Sequence, residues 1–423
     1  MQFSVKDFGA VGDGKTKDTE AIRRAIAACS AAGGGEVSFP NGTYISGTLE
    51  LLDGVTLFME KGATLRASGD LADFEKLPLD SCDVGVRIGF IYAIGKRDIG
   101  LAGPGIIDFA SDAFFRTDER MPFPGQQNPL TPRQQAEATL AIPPRLNQPV
   151  CIHDSTNVVF QDIRLVNSPC WTVSMVNCTH VTVDRVTVDN SLLVPNSDGL
   201  GFSVSTDVTV SNCHISCADD CLTFCGTKQA TVSNCVLRSR STAIRIGYLE
   251  EVTEDLVFSN LVIHDTNRAI IFQGTKNSVI RNVLMQNIVI HTRRYEGAWW
   301  GSGEPLTMVS GSENGSIRHV MITNVRAECA RGIALRGLPM GNVEDILLRD
   351  WRLTITAECE PAGEHWVDFR DEEERRLPDG CMPWLYAENI RGLRLDNMMT
   401  DKTGAAADVD ITPILVNSAV EER

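Results

Sequence analysis

Asp198, Asp219 and Asp220 are the residues whose type and setting point most directly to chemistry. They fall within Val194 to Ile246, a stretch that otherwise reads as short strands, where aspartate is depleted. Carboxylates brought close together repel one another, so one is held protonated while others stay ionised. That division suits general acid and general base work on a glycosidic bond. A lone Asp-Asp pair would read as turn residues or a calcium ligand, so the elements that position all three decide the matter.

Those elements are repeats. When NVVFQDIRL, HVTVDRVTV, DVTVSNCHI, QATVSNCVL, DLVFSNLVI, VLMQNIVI, HVMITNVRA, ILLRDWRL and GLRLDNMM are aligned, one apolar residue keeps register in every unit: Ile163, Val186, Cys213, Cys235, Leu261, Ile288, Val325, Trp351 and Met398. Most lie roughly 25 residues apart, a solenoid period. The long final interval holds either a further turn or an inserted loop. The preceding residues, Asp162, Arg185, Asn212, Asn234, Asn260, Asn287, Asn324, Asp350 and Asn397, are mostly Asn. Stacked Asn side chains hydrogen-bond along a solenoid axis and tolerate left-handed backbone, so a structural ladder is expected.

Three short strands and their turns per repeat predict an all-β fold, a right-handed single-stranded parallel β-helix with an N-terminal capping helix over its open edge. The whole chain, 1–423, reads as one such domain: strand and cap helix over about 1–35, coils over 36–400, and a weakly patterned tail over 401–423. Loop insertions fall at Phe114 to Pro144, Arg293 to Pro305 and Glu358 to Pro383. In register, Leu222, Phe224, Ile244, Ile246, Ile270 and Phe272 face inward and Thr223, Arg245 and Ile271 outward. Coils about 4.8 Å apart then bring Asp198, Asp219 and Asp220 to one outer patch.

Near the start, GAVGDGKT (Gly9 to Thr16) satisfies the phosphate-loop expression, and a helix follows it. Lys15 and Thr16 precede the expected N-cap, Asp18, instead of opening the helix, and no strand-helix alternation follows, which disfavours nucleotide binding. The helix carries Ile22, Ala25, Ile26 and Cys29 on one face and stops at Gly33-Gly34-Gly35. The net charge of −16 and pI near 4.9 argue against nucleic acid and anionic membrane as partners. No apolar run is long enough for a spanning helix and no leader pattern opens the sequence, so a cytoplasmic location is expected unless a leader has been removed. The 13 cysteines read as buried reduced thiols. Cys213, Cys217, Cys221 and Cys225 recur every fourth residue, but β geometry scatters them to different faces, so no metal is expected.

FSVKDFGAVGDGKTKDTEAIRRAI, GTYISGTLELLDGVTLFMEKGATL, NSPCWTV, PNSDG, CADDC and WWGSGEP together resemble glycoside hydrolase family 28, the polygalacturonase-like enzymes of the pectin-lyase-like β-helix class. The likeness runs roughly from Phe3 to Met398 and accounts for the phosphate-loop look-alike. It implies an inverting hydrolase without metal or organic cofactor. Asp219 resembles the general acid, Asp198 and Asp220 the water-activating bases, and Asn196 the residue that positions substrate or water. The likeness also shows substitutions: the family's Gly-His-Gly falls on Thr242-Ala243, its uronate-binding Arg-Ile-Lys on Ile271-Phe272-Gln273, and a frequent lysine on Cys225.

Fewer cations mean fewer charge-assisted bonds to a galacturonate, so the carbohydrate substrate is expected not to be plain polygalacturonate. Arg245 either replaces the lost cations or pairs with a structural carboxylate, and Arg268 is a second candidate. Trp299, Trp300 and Glu304 are expected on a loop, with Trp stacking on sugar. Thr242 and Gln273 complete the candidate substrate-binding set. A sugar transferase on the same carboxylates and a non-catalytic carbohydrate-binding solenoid are the alternatives. A lyase fits less well, because the positive cluster it needs is what the sequence has lost.

Overall fold

The computed structural model describes residues 1–121, 131–275, 277–295, 300–357, 366–367, 369, 375–377 and 381–422. It has the right-handed parallel β-helix architecture, and the contacts divide it into two compact units.

The first unit joins Met1–Met121 to Thr139–Ala218. Its coils stack in parallel ladders. On one face Arg97–Ala102 pairs with Thr156–Gln161, followed by Thr179–Asp184 and Thr206–Ser211. On the second, Ile106–Asp108, Arg164–Val166, Thr187–Asp189 and His214–Cys217 follow one another. The third face, which leads to Asp198, is built of Ile88–Ile94, Gln148–His153, Val173–Val176 and Leu200–Ser203. Alternation does the sorting: Val158 and Phe160 are buried while Val159 between them is exposed.

The cap helix is Thr19–Ala31, and Ala21, Ile22, Ala25, Ile26 and Cys29 form its buried face as the periodicity predicts. Asp18 is not a side-chain cap. Its buried carboxylate instead accepts the amides of Val11 at 2.6 Å and Gly12 at 3.0 Å, tying the preceding loop to the helix start. The phosphate-loop look-alike is likewise committed internally, because the Lys15 and Thr16 amides both donate to Asp13 Oδ1 at 2.8 Å. These bonds hold the Asp13 carboxyl below its usual pKa.

The second unit joins Pro122–Ala138 to Asp219–Arg423. One of its ladders runs Leu222–Cys225, Thr242–Gly247, Arg268–Gln273, Glu304–Val309, Ile333–Arg336 and Leu385–Glu388. On the far side long strands stack in order: Val252–Thr266, Val279–Thr292, Ser316–Cys329, Val343–Ile355 and Ile390–Lys402. The expected register holds, with Leu261 opposite Ile288, then Val325, Trp351 and Met398. Trp351 pairs with Met398 directly, so the long interval between them is an insertion and not a hidden coil. Trp351 is fully buried and its indole N–H donates to the Ile322 carbonyl at 3.0 Å. Each such buried side chain contributes about 1.5–3 kcal/mol of transfer free energy.

The Asn positions form the predicted ladder. Asn260, Asn287 and Asn324 donate in turn to the side-chain oxygens of Asn234, Asn260 and Asn287 at 3.2, 3.0 and 2.8 Å. All of these residues are left-handed, with φ between 53° and 58°. Asn accepts that backbone because its short amide bonds locally, and here the amide bonds along the stack.

Candidate active site

The first unit presents Asn196 and Asp198 in the turn before Leu200–Ser203. A buried polar network holds that turn in place. Asn190 accepts the Ser168 amide at 2.9 Å and donates through Nδ2 to Thr172 Oγ1 at 2.8 Å and to the Ser197 carbonyl at 3.4 Å. Thr172 in turn donates its amide to the Asp198 carbonyl at 3.2 Å. The NSPCWTV motif thus serves as a bracket for the PNSDG turn, through Ser168, Thr172 and a remote Asn190. Asn196 itself is left-handed, with φ 57°, and its Oδ1 accepts from Arg145 Nη2 at 2.9 Å. Arg145 is buried, stands 3.5 Å from Cys170 Sγ, and lies over the Phe115 ring at 5.5 Å. Burial pushes the Cys170 thiol up to about 11, with Arg145 opposing and Asp198 reinforcing the rise.

The second unit presents Asp219 and Asp220 just before Leu222–Cys225. The segment is strapped to the following coil: Ser239 Oγ donates to the Asp219 carbonyl at 2.6 Å, and the Cys221 amide donates to the Thr242 carbonyl at 3.1 Å. Asp220 is 2 % exposed, and Arg245 Nε stands 2.7 Å from its Oδ2. Arg245 thus pairs with one of the candidate catalytic carboxylates. The guanidinium also lies 5.5 Å from the Tyr248 ring centre.

Leu222, Phe224, Ile244, Ile246, Ile270 and Phe272 are all fully buried, as inward-facing residues should be. Thr223 and Arg245 are partly exposed opposite one another, while Ile271, in register with Arg245 on the next strand, is covered and 1 % exposed. Cys213, Cys221 and Cys225 each bond a separate carbonyl, those of Ser211, Arg238 and Gly247.

Three expected ligand contacts, Thr242, Arg268 and Glu304, lie opposite one another in successive strands and are fully buried. Glu304 is not on a loop: it opens the strand Glu304–Val309, accepts the Ser302 amide at 2.7 Å, and stands 3.6 Å from Arg268 Nε. A buried carboxylate is held by such donors or not at all. Gln273 is also buried, at the end of Arg268–Gln273. Trp300 is exposed, with its carbonyl accepting from Asn267 Nδ2 at 2.9 Å, while Trp299 lies outside the described residues.

The sequence did not reveal the charged group flanking this ladder. Arg240 and Arg293 each stand 4.1 Å from the Tyr295 ring centre. The Tyr295 hydroxyl bonds Asp265, and Arg293 also pairs with Glu137 at 3.2 Å. Burial raises the Tyr295 hydroxyl to about 12, so it stays a donor. Farther along, Phe369 and Leu377 of the third insertion pack on Val309, Ala334 and Tyr386, covering that end of the ladder. Among the described residues no group of three or more His, Cys, Asp or Glu is arranged to hold a metal.

Residues 135–269 match the model for Glycosyl hydrolases family 28, a span that includes all three aspartates, Arg145 and Arg245. Residues 2–70 match Rhamnogalacturonase A/epimerase, pectate lyase-like. A probable polygalacturonase of Vitis vinifera is 26 % identical over 227 residues, 51 % of this chain and 42 % of that protein. An endo-polygalacturonase of Pectobacterium carotovorum subsp. carotovorum is 28 % identical over 207 residues, 48 % of this chain and 49 % of that protein. The chain thus spans about half the length of the curated relatives it matches. Among solved structures, the family 28 exopolygalacturonase of Yersinia enterocolitica aligns with a TM-score of 0.71 at 18 % identity, over 98 % of this chain and 78 % of that one, which shows the shared fold. Residues 135–269 of this chain are thus similar to glycoside hydrolase family 28, and its parallel β-helix is the fold of a solved family 28 exopolygalacturonase.

Proposed function

We propose that this chain is an inverting glycoside hydrolase in which Asp219 protonates the leaving oxygen while Asp198 and Asp220 activate water. The observation that carries the reading is the buried Asp220 carboxylate held by Arg245 at 2.7 Å, directly beside Asp219 and within the family 28 match. A cation at that distance favours the ionised carboxylate, the form a base requires. Inversion calls for acid and base carboxyls about 6.5–9.5 Å apart, with water between them.

The relatives' names point to galacturonan-type polymers, and the substrate here is proposed to depart from plain polygalacturonate. Ile271 and Gln273 stand in the cationic positions of the family motif, and Arg245 is engaged by Asp220. A short oligosaccharide or a neutral or unusual sugar fits that balance. The test is a panel of acidic and neutral oligosaccharides in ¹⁸O water, with product anomers read by NMR and Asp219→Asn as control. Inverted, ¹⁸O-labelled product from the parent alone is expected. Transfer without solvent oxygen, or no cleavage of any glycoside, would sink the reading.

A further inference from the structure

Arg145 has no part in the reading above and was not singled out by its sequence, yet it is a buried cation next to the turn that carries Asp198. Its contacts are neutral: the Asn196 amide oxygen, the Cys170 sulfur and the Phe115 face. Its Nη1 is buried without a hydrogen-bond partner among the described residues. A guanidinium kept in such a place is costly, which marks it as retained for something other than stability.

We propose that Arg145 is a positioning residue that fixes which end of the Asn196 amide faces the ligand beside Asp198. The nature of that ligand rests on the hydrolase reading, but the orientation does not. A guanidinium can only donate, so the group it meets at 2.9 Å must be the Asn196 oxygen. The amide nitrogen, with its two N–H donors, is thereby turned away from Arg145. The backbone that follows is already fixed, by the left-handed Asn196 and by the Asn190 and Thr172 bonds to Ser197 and Asp198. Side-chain rotation is therefore the freedom that Arg145 removes.

Arg145 is itself held in place. Phe115, on which it lies, packs with Leu140 and Val194, so the guanidinium is clamped between an apolar cluster and the amide. The consequence is a donor presented two residues before a carboxylate. Such a pair can hold one oxygen, of water or of a sugar hydroxyl, which accepts from Asn196 while donating to Asp198. With the amide reversed, two acceptors would face that oxygen, and a sugar hydroxyl, with its single O–H, could satisfy only one of them.

The test compares Arg145→Met, Arg145→Lys and Asn196→Asp with the parent. The Asn196 side-chain amide signal, identified by its loss in Asn196→Asp, is read by ¹⁵N NMR together with the thermal midpoint. In Arg145→Met the pair is expected to shift and lose protection from hydrogen exchange. Arg145→Lys retains the charge without the planar fork and keeps part of the protection. On trigalacturonate and on a neutral galactotriose, kcat is expected to fall about 10–100-fold in Arg145→Met and Asn196→Asp, with KM changed less. Asn196→Asp places a carboxylate against Arg145, so its midpoint should rise while its rate falls, which a purely structural role would not produce.

An unchanged Asn196 signal in folded Arg145→Met, or in Arg145→Lys should Arg145→Met not fold, overturns the proposal. So does an Asn196→Asp protein that keeps the kcat of an active parent. A parent inactive on both probes counts against the hydrolase reading, and the amide signal still decides this one.

Discussion

Arg245 Nε lies 2.7 Å from Asp220 Oδ2, and the two side chains are 15 % and 2 % exposed. Removing one member of a buried pair leaves the other uncompensated, a loss of about 3–5 kcal/mol. Arg245→Met is therefore expected to lower the unfolding free energy by about that amount. Adding Asp220→Asn should restore part of it, because the carboxylate that lost this cation is then neutral. Urea unfolding of the single and double variants measures the coupling, and simple additivity would show that the pair is not a unit.

Acid stability carries a signature of His153. Burial, and secondarily the nearby Arg87, lower its pKa to about 4. The folded value lies below the unfolded one, so the unfolded state takes up the proton first as pH falls. Stability is lost between about pH 6.5 and 4 and levels off below that, a total of about 3 kcal/mol. His153→Gln is expected to flatten that part of the profile relative to the parent, measured by denaturant unfolding at pH 7, 5.5 and 4. Parallel profiles would show that His153 does not titrate differently in the two states.

The Asn ladder separates backbone from side-chain effects at one position. Asn287 has φ 58° and bonds both Asn260 and Asn324. Asn287→Gly keeps the backbone and loses the amide bonds, at about 1 kcal/mol each. Asn287→Ala also adds left-handed strain of about 1–2 kcal/mol. The alanine variant should therefore have the lower thermal midpoint, and equal midpoints would assign the whole role to the amide.

Trp351 tests the register. It is fully buried and donates to the Ile322 carbonyl at 3.0 Å. Trp351→Phe is expected to cost less than Trp351→Ala, which should lose about 3–5 kcal/mol. A small loss in both would mean that the coil relaxes around the site.

The cover over the ladder makes a prediction about product length. Phe369 and Leu377 pack on Val309, Ala334 and Tyr386. If that cover favours chain ends, Phe369→Ala should raise the viscosity loss per bond cleaved on a polymeric substrate. An unchanged ratio would remove Phe369 from that role.

Much of the molecule was legible in the sequence because a solenoid repeats its own constraints. Ile288, Val325 and Trp351 each occupy the same inward place on successive coils, and the residue before each adopts the same left-handed turn. Insertions were visible as breaks in the period, although whether a long interval concealed a coil was not. Strand alternation assigned Leu222, Phe224, Thr223 and Arg245 to their faces. It did not tell that Ile271 is covered, since alternation gives direction and not what covers a face. Glu304 was misplaced for a related reason, because a strand start beside Gly301 and Gly303 looks like a loop.

The sequence by itself determined the coil register, the Asn ladder, the cap helix and the placing of Asp198, Asp219 and Asp220 just before their strands, all of which follow from short-range periodicity and motif spacing. The tertiary structure alone decided that Asp18 ties a loop instead of capping, that Arg245 is held by Asp220, and that Arg145 reaches across from before a strand to lock Asn196. Long polar side chains choose partners by distance, burial and donor geometry, and those quantities exist only once the coils have stacked.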